Sequence, residues 1–440
     1  MSWKDIYRER LTTADEAVKH IKSGDRVVIG HAAGEPTAVI NAMVRNADQY
    51  KDVETLQMVC KGEAPYCRPE MKEHFRNNSL FVTTHTMQQA AAEDRCDVTP
   101  VYFSEVPDLL RYDLPVDVAL IQVSTPDKHG YCSYGISVDY TKPAAEAAKT
   151  VIAEVNPNMP RTLGDCFIHV SDIDYIVESD DPILELPPAK LGDAEYAIGR
   201  NCASLIHDGD TLQLGIGAIP DAVLVSLKDK KDLGIHSEMV SDGVVDLVEA
   251  GVITNKRKNF LPGRSVVTFL MGTRRLYDYV DDNPSVAMYP VDFVNDPYII
   301  AKNDNLISIN SCVEVDLQGQ VVSTTVGLRR ISGVGGQVDF VRGANMSKGG
   351  KTIMAIQSTA RNGTVSKIVP FVNKGASVTT STYDVNYVVT EYGIAKLKGQ
   401  TLRNRARALI TIAHPKFRDM LAEEFERRFS VKYTPLKYTP

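Results

Sequence analysis

One glutamate, Glu238, lies where it could do chemistry. Residues 235–250 read IHSEMVSDGVVDLVEA, which places Glu238 just before a Ser-Asp-Gly turn. The apolar spacing after the turn predicts a helix, with Asp242 as its N-cap and Gly251 just past its end. A strand, a turn and a helix in this order form the edge at which α/β proteins build their sites, so the carboxylate can face a pocket. The alternative is a solvated surface carboxylate, and Glu238 alone does not decide between the two.

A glycine turn upstream favours the pocket. Residues 214–220 read LGIGAIP, follow an apolar strand and open a predicted helix with Pro220 at its first position. Glycines bring backbone N–H groups close to a ligand, and beside a helix N-terminus these groups favour an anion or a developing oxyanion. The turn is not a dinucleotide fingerprint, because Pro220 replaces the third glycine, and it is not a P-loop, because no Lys-Ser/Thr pair follows. The alternative is a tight turn that binds no ligand.

A second glycine cluster and two polar residues are further candidates. Residues 333–337 read GVGGQ, and three glycines in four positions are hard to explain by packing, which favours a backbone that faces a ligand. His31 lies in a turn of small residues, where it either faces a cleft between domains or serves as a structural hydrogen-bonding group. Gln213 lies inside the apolar strand before the first glycine turn, and it either has a protein partner or touches a ligand.

The elements that would position these residues occur twice. Residues 17–40 read AVKHIKSGDRVVIGHAAGEPTAVI, and residues 203–224 read ASLIHDGDTLQLGIGAIPDAVL. Both predict a helix, a Gly-Asp pair, an apolar strand, a turn of small residues, a proline and a second helix. The match favours an internal duplication and two similar open α/β domains packed face to face around a cleft. The alternative is a chance match between two generic strand–turn–helix units.

Apolar runs and turn residues predict the remaining elements. Strands are expected at 26–29, 56–59, 80–83, 100–103, 116–123, 150–155, 175–177, 266–270, 306–310, 320–324, 352–356 and 387–390, besides the strand that contains Gln213. Helices are expected at 13–22, 37–46, 143–149, 193–207 and 402–428, the last divided by Pro415. The stretch 180–188 is rich in proline and acids and is the best linker. We therefore expect an N-terminal domain at 1–190 and a C-terminal domain at 191–440 that carries Glu238 and the glycine loops, with a poorly ordered tail at 433–440.

Composition narrows the classes of function. The chain has 440 residues, a length that suits two or three domains. Its net charge of −7 argues against a general nucleic-acid binder. A small anionic ligand needs only a local basic pocket. The basic stretches at 256–258, 274–275, 329–330 and 403–407 are candidates for binding phosphates, but the sequence does not single one out.

Cysteine and histidine spacing narrows the chemistry further. The seven cysteines are scattered and contain no C-x-x-C pair, and the nine histidines show neither H-E-x-x-H nor H-x-H. This pattern fits a reducing cytoplasm and argues against a zinc site, so no metal is expected. The first residues lack the apolar core of a signal peptide, and no run is long enough to span a bilayer.

Three motifs together resemble a known family. LGIGAIP at 214–220, HSEMVSDG at 236–243 and ISGVGGQVDF at 331–340 are similar to the acetyl-CoA hydrolase/4-hydroxybutyrate CoA-transferase family, within the class I CoA-transferases. The resemblance extends to VVTEYGIA at 388–395 and RARALITIAHP at 405–415, and so covers essentially the whole chain. It is strongest to the 4-hydroxybutyrate and butyrate CoA-transferases, which use acetate as partner.

The resemblance implies a mechanism and a set of site residues. Glu238 would be the nucleophile that carries CoA as a glutamyl thioester between an acyl-CoA and a carboxylate, with ping-pong kinetics. CoA is then a substrate, and no permanently bound cofactor is implied. The CoA contacts would come from Gly215, Ile216, Gly217, Ala218, Ile219, Gly335 and Gly336. The resemblance also implies a homo-oligomer, a dimer or tetramer, with its site in a cleft between two open α/β domains.

Two other functions compete with CoA transfer. An acyl-CoA hydrolase of the same family would open the same thioester with water, and sequence motifs barely distinguish it from a transferase. A non-enzymatic CoA sensor would lack a reactive carboxylate and would usually carry a DNA-binding segment. Glu238 is present and neither end of the chain contains a basic helix-turn-helix, so transfer is the favoured prediction.

Overall fold

The chain divides into two compact units. The computed structural model describes residues 2–436. Unit 1 comprises residues 2–187 and 265–295, and unit 2 comprises residues 188–264 and 296–436. Each unit contains a mostly parallel sheet with helices connecting its strands. The predicted class, two α/β domains with mostly parallel sheets, is confirmed.

Unit 1 is built on a parallel sheet of eight strands within the described residues. In chain order the strands are β1 (Leu11–Thr12), β2 (Arg26–Ile29), β3 (Val53–Gln57), β4 (Phe75–Ser79), β5 (Cys96–Val98), β6 (Val118–Val123), β7 (Thr150–Val155) and β8 (Tyr175–Glu178). Across the sheet their order is β1-β8-β7-β6-β2-β3-β4-β5. The main helices are α1 (Trp3–Arg10), α2 (Thr37–Arg45), α3 (His85–Ala92) and α4 (Thr141–Ala147). Every residue of β6 is buried, as expected of a central parallel strand.

Unit 2 is built on a smaller sheet. Its strands are β9 (Thr211–Leu214), β10 (Gly234–Ile235), β11 (Leu306–Ser311), β12 (Lys351–Ala355), β13 (Tyr387–Thr390) and β14 (Gly393–Lys396). Their order is β10-β9-β11-β12-β13-β14; β13 and β14 pair antiparallel and the other neighbours pair parallel. The helices are α5 (Asp193–Ala203), α6 (Ala218–Val225), α7 (Asp242–Glu249), α8 (Gln337–Met346), α9 (Leu402–Ile412) and α10 (Pro415–Phe429). Pro415 begins α10 and so divides the last helical region as predicted.

Shorter elements complete both units. Unit 1 adds Ala14–Ala17, Val106–Asp108, Arg274–Val280 and Val291–Val294 as helices, and the strand pairs Tyr131–Ser133 with Phe167–His169 and Ser265–Val267 with Val286–Met288. Unit 2 adds the helix Pro297–Ile300 and the strands Glu314–Asp316, Val321–Val322, Ile368–Val369, Thr325–Val326, Arg329–Arg330, Thr359–Ala360 and Val365–Ser366.

The two sheets share one strand order. In unit 1 the order β3-β2-β6-β7-β8 follows the same path through the chain as β10-β9-β11-β12-β13 in unit 2. The Gly-Asp turns before β2 and β9 also match. Gly24 and Gly209 have φ of 83° and 85°, and the carboxylates of Asp25 and Asp210 each accept the N–H three residues earlier at 2.8 Å. Since two matching sheets and two matching turns are hard to obtain by chance, the structure supports the predicted duplication.

The segment 265–295 belongs to unit 1, although it lies between the two parts of unit 2 in the chain. Its backbone bonds directly to unit 1: Leu270 donates to the Ile136 carbonyl at 2.8 Å, and Val138 donates to the Thr268 carbonyl at 3.1 Å. The first change of unit, at residues 187 and 188, lies close to the expected boundary at 190. A single boundary, however, does not describe a chain that returns to its first unit.

Several predicted elements differ from the observed ones. Residues 80–83 and 100–103 are not strands; the strands lie earlier, at β4 and β5. The strand β4 has the polar sequence FRNNS, and its buried Asn77 is accommodated because it donates to the Thr55 carbonyl of β3 at 3.1 Å. The search for apolar runs therefore predicted the strand at the wrong residues. Helix α1 was missed because it is highly charged and contains no buried residue. The expected helix at 13–22 is the short helix Ala14–Ala17 followed by the 3₁₀ turn Val18–His20.

The C-terminal tail is partly packed. The Tyr433 ring lies 5.5 Å from that of Phe425, and its backbone N–H donates to Glu426 at 2.9 Å, so this part of the expected disordered tail is anchored. Residues 437–440 of that prediction lie outside the described residues. No helix between residues 2 and 436 has the length and apolar character to cross a bilayer.

Candidate functional site

Glu238 lies at the carboxyl edge of the sheet in unit 2. It follows β10 by three residues and precedes the short strand Met239–Val240, which leads into α7. The residue is half-buried, whereas its neighbours His236 and Ser237 are buried. Helix α7 begins at Asp242 with Ser241 as its N-cap, so the prediction that Asp242 is the N-cap was wrong by one residue. The carboxylate therefore sits on a buried loop rather than on a solvated helix face.

The glycine turn lies at the same edge of the sheet. Residues 215–217 connect β9 directly to α6. Strands β9 and β10 are parallel neighbours, with Leu212 opposite Ile235, so the segments that follow them leave the sheet at one edge. The proximity of Glu238 to the turn thus follows from the pairing of two strands that are 20 residues apart in the chain.

Ser237 joins the two segments. Its hydroxyl lies 3.1 Å from the Leu214 carbonyl and 2.8 Å from the Met239 carbonyl, and it accepts the Leu214 N–H at 3.3 Å. The backbone N–H of His236 also donates to the Leu212 carbonyl at 3.2 Å. Leu214, Gly215, Ser237 and Met239 line one crevice. The residue before Glu238 is therefore fixed to the residue before Gly215.

The turn itself is open to a ligand. Gly217 has φ of 106°, a conformation that side chains rarely adopt, and as the N-cap of α6 it has no side chain to occupy the N–H groups of the first turn. A Cβ atom built on Gly217 would meet no atom within 4 Å, and one on Gly215 would meet only Pro220 Cγ, at 4.0 Å. Pro220 is the third helical residue, not the first as predicted. The first turn accommodates it because the backbone N–H that proline lacks would have no partner within the helix there.

The second glycine cluster opens another helix of unit 2. Gly335 has φ of 57°, and Gly336 is the N-cap of α8. Helix α8 precedes β12 and packs on β11 and β12, so its N-terminus lies towards the carboxyl edge of the sheet, as that of α6 does. Gln337 is buried and donates to the Thr380 hydroxyl at 3.0 Å, which fixes the start of the helix. Both predicted glycine clusters therefore present helix N-termini at the edge that carries Glu238.

Gln213 has protein partners within unit 2. Its side-chain oxygen accepts from the Ser308 hydroxyl at 2.7 Å and from the Asn310 amide at 3.2 Å. The residue is 4% exposed and its amide group lies 3.4 Å from the Asn310 side-chain oxygen. These contacts are the protein partners that one of the two alternatives for Gln213 expects, and a substrate role for it stays a prediction. Asn310, half-buried at the carboxyl end of β11, is a polar residue of this edge that the sequence analysis missed, and the polar residues within the strand LISINS were the signal for it.

His31 is a core residue of unit 1. Its Nδ1 lies 3.1 Å from Asp139 Oδ2, and its ring contacts those of Phe103 and Phe269. The side chain is fully buried. Asp139 is itself held by the Ser137 hydroxyl at 2.6 Å and by the Tyr140 N–H at 2.7 Å. These contacts match the structural reading of His31, and a substrate role for it stays a prediction.

The basic residues proposed as phosphate-binding candidates differ in how deeply they are buried. Arg274 is exposed and pairs with Asp278 at 2.6 Å, and Arg405 donates to the Thr382 carbonyl at 2.6 Å. Lys258, in contrast, is 4% exposed, and burial lowers its pKa to about 7. Among residues 2–436, no group of three or more His, Cys, Asp or Glu side chains is arranged to hold a metal ion.

A carboxylate held beside an uncapped helix N-terminus defines a class of enzyme site. The carboxylate can serve as a nucleophile towards an acyl group, and the glycine N–H groups can stabilise the oxyanion that forms. This is the site expected of an α/β enzyme of acyl transfer.

Comparison with known proteins identifies the family. The acetyl-CoA hydrolase/transferase N-terminal domain matches residues 1–186, and the C-terminal domain of the same family matches residues 272–425. The chain therefore belongs to the acetyl-CoA hydrolase/transferase family, and the predicted family is confirmed.

Individual relatives match over nearly their whole length. The 4-hydroxybutyrate coenzyme A transferase of Clostridium kluyveri is 64% identical over 98% of this chain and 100% of its own. The butyryl-CoA:acetate CoA-transferase of Anaerostipes caccae is 39% identical over 97% of this chain and 98% of its own. The crystal structure of a 4-hydroxybutyrate CoA-transferase from Porphyromonas gingivalis superimposes with a TM-score of 0.84 at 47% identity and covers 97% of this chain and 100% of that one.

Proposed function

We propose that this enzyme transfers coenzyme A between a short-chain acyl-CoA, 4-hydroxybutyryl-CoA or butyryl-CoA, and a carboxylate such as acetate. Glu238 is the nucleophile. The observation that carries the proposal is the attachment of the Glu238 loop to the glycine turn through Ser237, which bonds to both Leu214 and Met239. The names of the relatives support CoA transfer and the acyl groups.

The reaction needs only an ionised carboxylate and hydrogen-bond donors. A Glu238 oxygen attacks the thioester carbonyl, the C–S bond breaks, and a mixed anhydride and CoA thiolate form. The thiolate then attacks the glutamyl carbonyl, the anhydride C–O bond breaks, and the free acid leaves as its carboxylate. The acceptor carboxylate reverses both steps, so no net proton is consumed and ping-pong kinetics result.

The glycine loops supply the donors in this proposal. Each attack produces a tetrahedral oxyanion, and N–H groups in the turn Gly215, Ile216, Gly217, Ala218 and Ile219 stabilise it. The same turn, with Gly335 and Gly336, contacts CoA. Open space beside Gly215 and Gly217 supports this assignment, because a ligand can approach the backbone there without displacing a side chain.

We further propose that the protein works in the cytoplasm as a homo-oligomer, a dimer or tetramer, without a permanently bound cofactor. The seven cysteines are buried and none forms a disulfide, which supports a reducing compartment. The net charge of −7 is consistent with small anionic substrates rather than nucleic acid as partners.

Substitution of Glu238 tests the proposed nucleophile. With butyryl-CoA and acetate, Glu238→Ala should abolish acetyl-CoA formation. Glu238→Asp should lose most of the activity, because a side chain shorter by about 1.5 Å no longer meets the thioester in a reactive geometry. Glu423→Ala, at an exposed position of α10, is the matched control and should behave as wild type. More than trace transfer by folded Glu238→Ala would rule out Glu238.

The same assay separates transfer from hydrolysis. A transferase forms one acetyl-CoA for each butyryl-CoA consumed, and free CoA does not accumulate. A hydrolase opens the glutamyl thioester with water, so free CoA appears at the same rate with or without acetate. Thiol release that is independent of acetate would establish the alternative function, acyl-CoA hydrolysis by the same intermediate.

A further inference from the structure

Lys258 is buried in unit 2 next to the strand that leads to Glu238. Its side chain is 4% exposed, and its Nζ donates to the Ile235 carbonyl at 2.7 Å and to the Arg264 carbonyl at 2.6 Å. Within the described residues no carboxylate lies at ion-pair distance from it, and burial is the one effect that shifts its pKa. A buried ammonium bonded only to carbonyl groups is costly to fold, since most buried lysines are paired.

The stem of Lys258 packs against Gly234. A Cβ atom on Gly234 would lie 2.5 Å from Lys258 Cγ and 2.8 Å from Cδ, distances that real Cβ contacts do not show. The first residue of β10 is therefore a glycine at the position where the lysine stem crosses the strand. An alanine at 234 would push the lysine away from its present path.

One turn holds both polar backbone groups of Ile235. The side-chain oxygen of Asn255 accepts the Ile235 N–H at 2.8 Å, and the Ile235 carbonyl accepts from Lys258 Nζ. Asn255 adopts φ of 55°, so the backbone bends sharply to bring the two side chains to one residue. Because Ile235 is the last residue of β10, the two side chains fix the point from which the Glu238 loop leaves the sheet.

We propose that Lys258 is a positioning residue for the nucleophile: its side-chain amine, through two hydrogen bonds, fixes the carboxyl end of β10 and thereby the placement of the Glu238 carboxylate. The inference rests on the proposed function of Glu238. Lys258 acts through the backbone of residues 235–237, and Ser237 then fixes the other side of the loop to β9. Small displacements of a reacting group lower the rate steeply, so loss of the amine affects turnover more than substrate binding.

Lys258→Met tests the role of the hydrogen bonds that the amine donates. Methionine has a similar length and is apolar, so it fills the same space but cannot donate to the two carbonyl groups. We expect kcat to fall at least tenfold, the KM for butyryl-CoA to stay within twofold, and the melting temperature not to fall. Lys228→Met, at an exposed lysine of the same unit, is the matched control and should retain wild-type kcat.

A folded Lys258→Met protein with kcat within twofold of wild type would overturn the proposal. It would also be overturned if the variant lost thermal stability while the folded fraction kept its normal kcat, because that pattern reports a structural role alone. Gly234→Ala provides a second perturbation, which keeps the amine but displaces its stem, and it should lower kcat in the same way. Unchanged kcat in that variant contradicts the proposal even if Lys258→Met fails to fold.

Single-turnover trapping separates this inference from the proposed function. In wild type and in Lys258→Met, butyryl-CoA should label the same residue, Glu238, but the adduct should form at least tenfold more slowly in the variant. Absence of a Glu238 adduct in wild type would refute the nucleophile itself. Adduct formation at equal rates in both proteins would refute only the positioning role of Lys258.

Discussion

Gly215→Ala tests whether CoA approaches the backbone of the glycine turn. A methyl group on Gly215 would meet only Pro220 Cγ, at 4.0 Å, and the residue is not in the left-handed region. Folding should therefore change by no more than about 0.5 kcal/mol. The methyl would nevertheless occupy the open space into which a bound CoA must come. We expect the KM for butyryl-CoA to rise at least about tenfold, which corresponds to about 1.4 kcal/mol of binding.

The assay compares this variant with a control glycine substitution that should lower stability but leave the KM unchanged. Steady-state KM and chemical denaturation are measured for Gly215→Ala and for Gly251→Ala, which lies just past α7 with φ of 72° and open space around it. Gly251→Ala should lose about 1 kcal/mol of stability, because alanine rarely adopts that conformation, but should keep a normal KM. An unchanged KM in Gly215→Ala would refute the assignment of the turn to CoA.

Two other predictions concern Ser237, in the Glu238 loop, and Lys258, which bonds to the strand before it. Ser237→Ala leaves buried polar groups of Leu214 and Met239 without their partner, so it should cost about 1–3 kcal/mol of stability and lower kcat about tenfold. Ser204→Ala, which removes an exposed hydroxyl, is the control in both the denaturation and the kinetic measurements. A normal kcat in Ser237→Ala would contradict the proposal that Ser237 holds the Glu238 loop in its reactive position. Burial lowers the pKa of Lys258 to about 7, against about 10.4 in an unfolded chain. Between these pH values the unfolded chain binds more protons than the folded one, so the free energy of unfolding should rise with pH more steeply in wild type than in Lys258→Met, by at most about 1.4 kcal/mol per pH unit. Urea unfolding at pH 7.5 and 9 measures this difference. An equal change in the free energy of unfolding in both proteins would exclude the lowered pKa of Lys258.

The sequence correctly predicted those strands and turns whose geometry depends on neighbouring residues in the chain. The strands β2, β7 and β13 follow apolar runs bounded by turn residues, and they lie where the sequence placed them. The Gly-Asp pairs identified the duplicated turn because its geometry depends on a glycine with positive φ and an aspartate that caps its own turn. These features need no knowledge of distant contacts.

Other features depend on contacts that no spacing rule reveals. The segment 265–295 joins unit 1 through backbone hydrogen bonds such as that of Leu270 to Ile136, and its sequence resembles any other strand and helix. The polar strand β4 is stabilised by its own Asn77, which donates to the Thr55 carbonyl of the neighbouring strand β3, a contact that the local sequence does not reveal. Burial of Lys258 was equally hidden, because a basic stretch is normally solvated.

For the candidate site, sequence supplied the residues and the structure supplied their arrangement. Glu238 and the glycine turn were predicted from motifs that begin 22 residues apart, at 214 and 236. The pairing of β9 with β10 explains why they share one sheet edge. Ser237 was part of the recognised motif but had no assigned role; its bonds to Leu214 give it one. The partners of Gln213 and His31 lie about 95 to 110 residues away in the chain, beyond the reach of local patterns.

The most direct test of the central claim is chemical trapping of the intermediate. The protein is incubated with butyryl-CoA without an acceptor, treated with hydroxylamine or borohydride, and digested for peptide mass analysis. We expect a modification confined to Glu238, which would demonstrate a covalent thioester on that side chain. A folded protein that binds CoA but shows no modification at Glu238 would contradict it and indicate a ternary-complex enzyme or a CoA sensor.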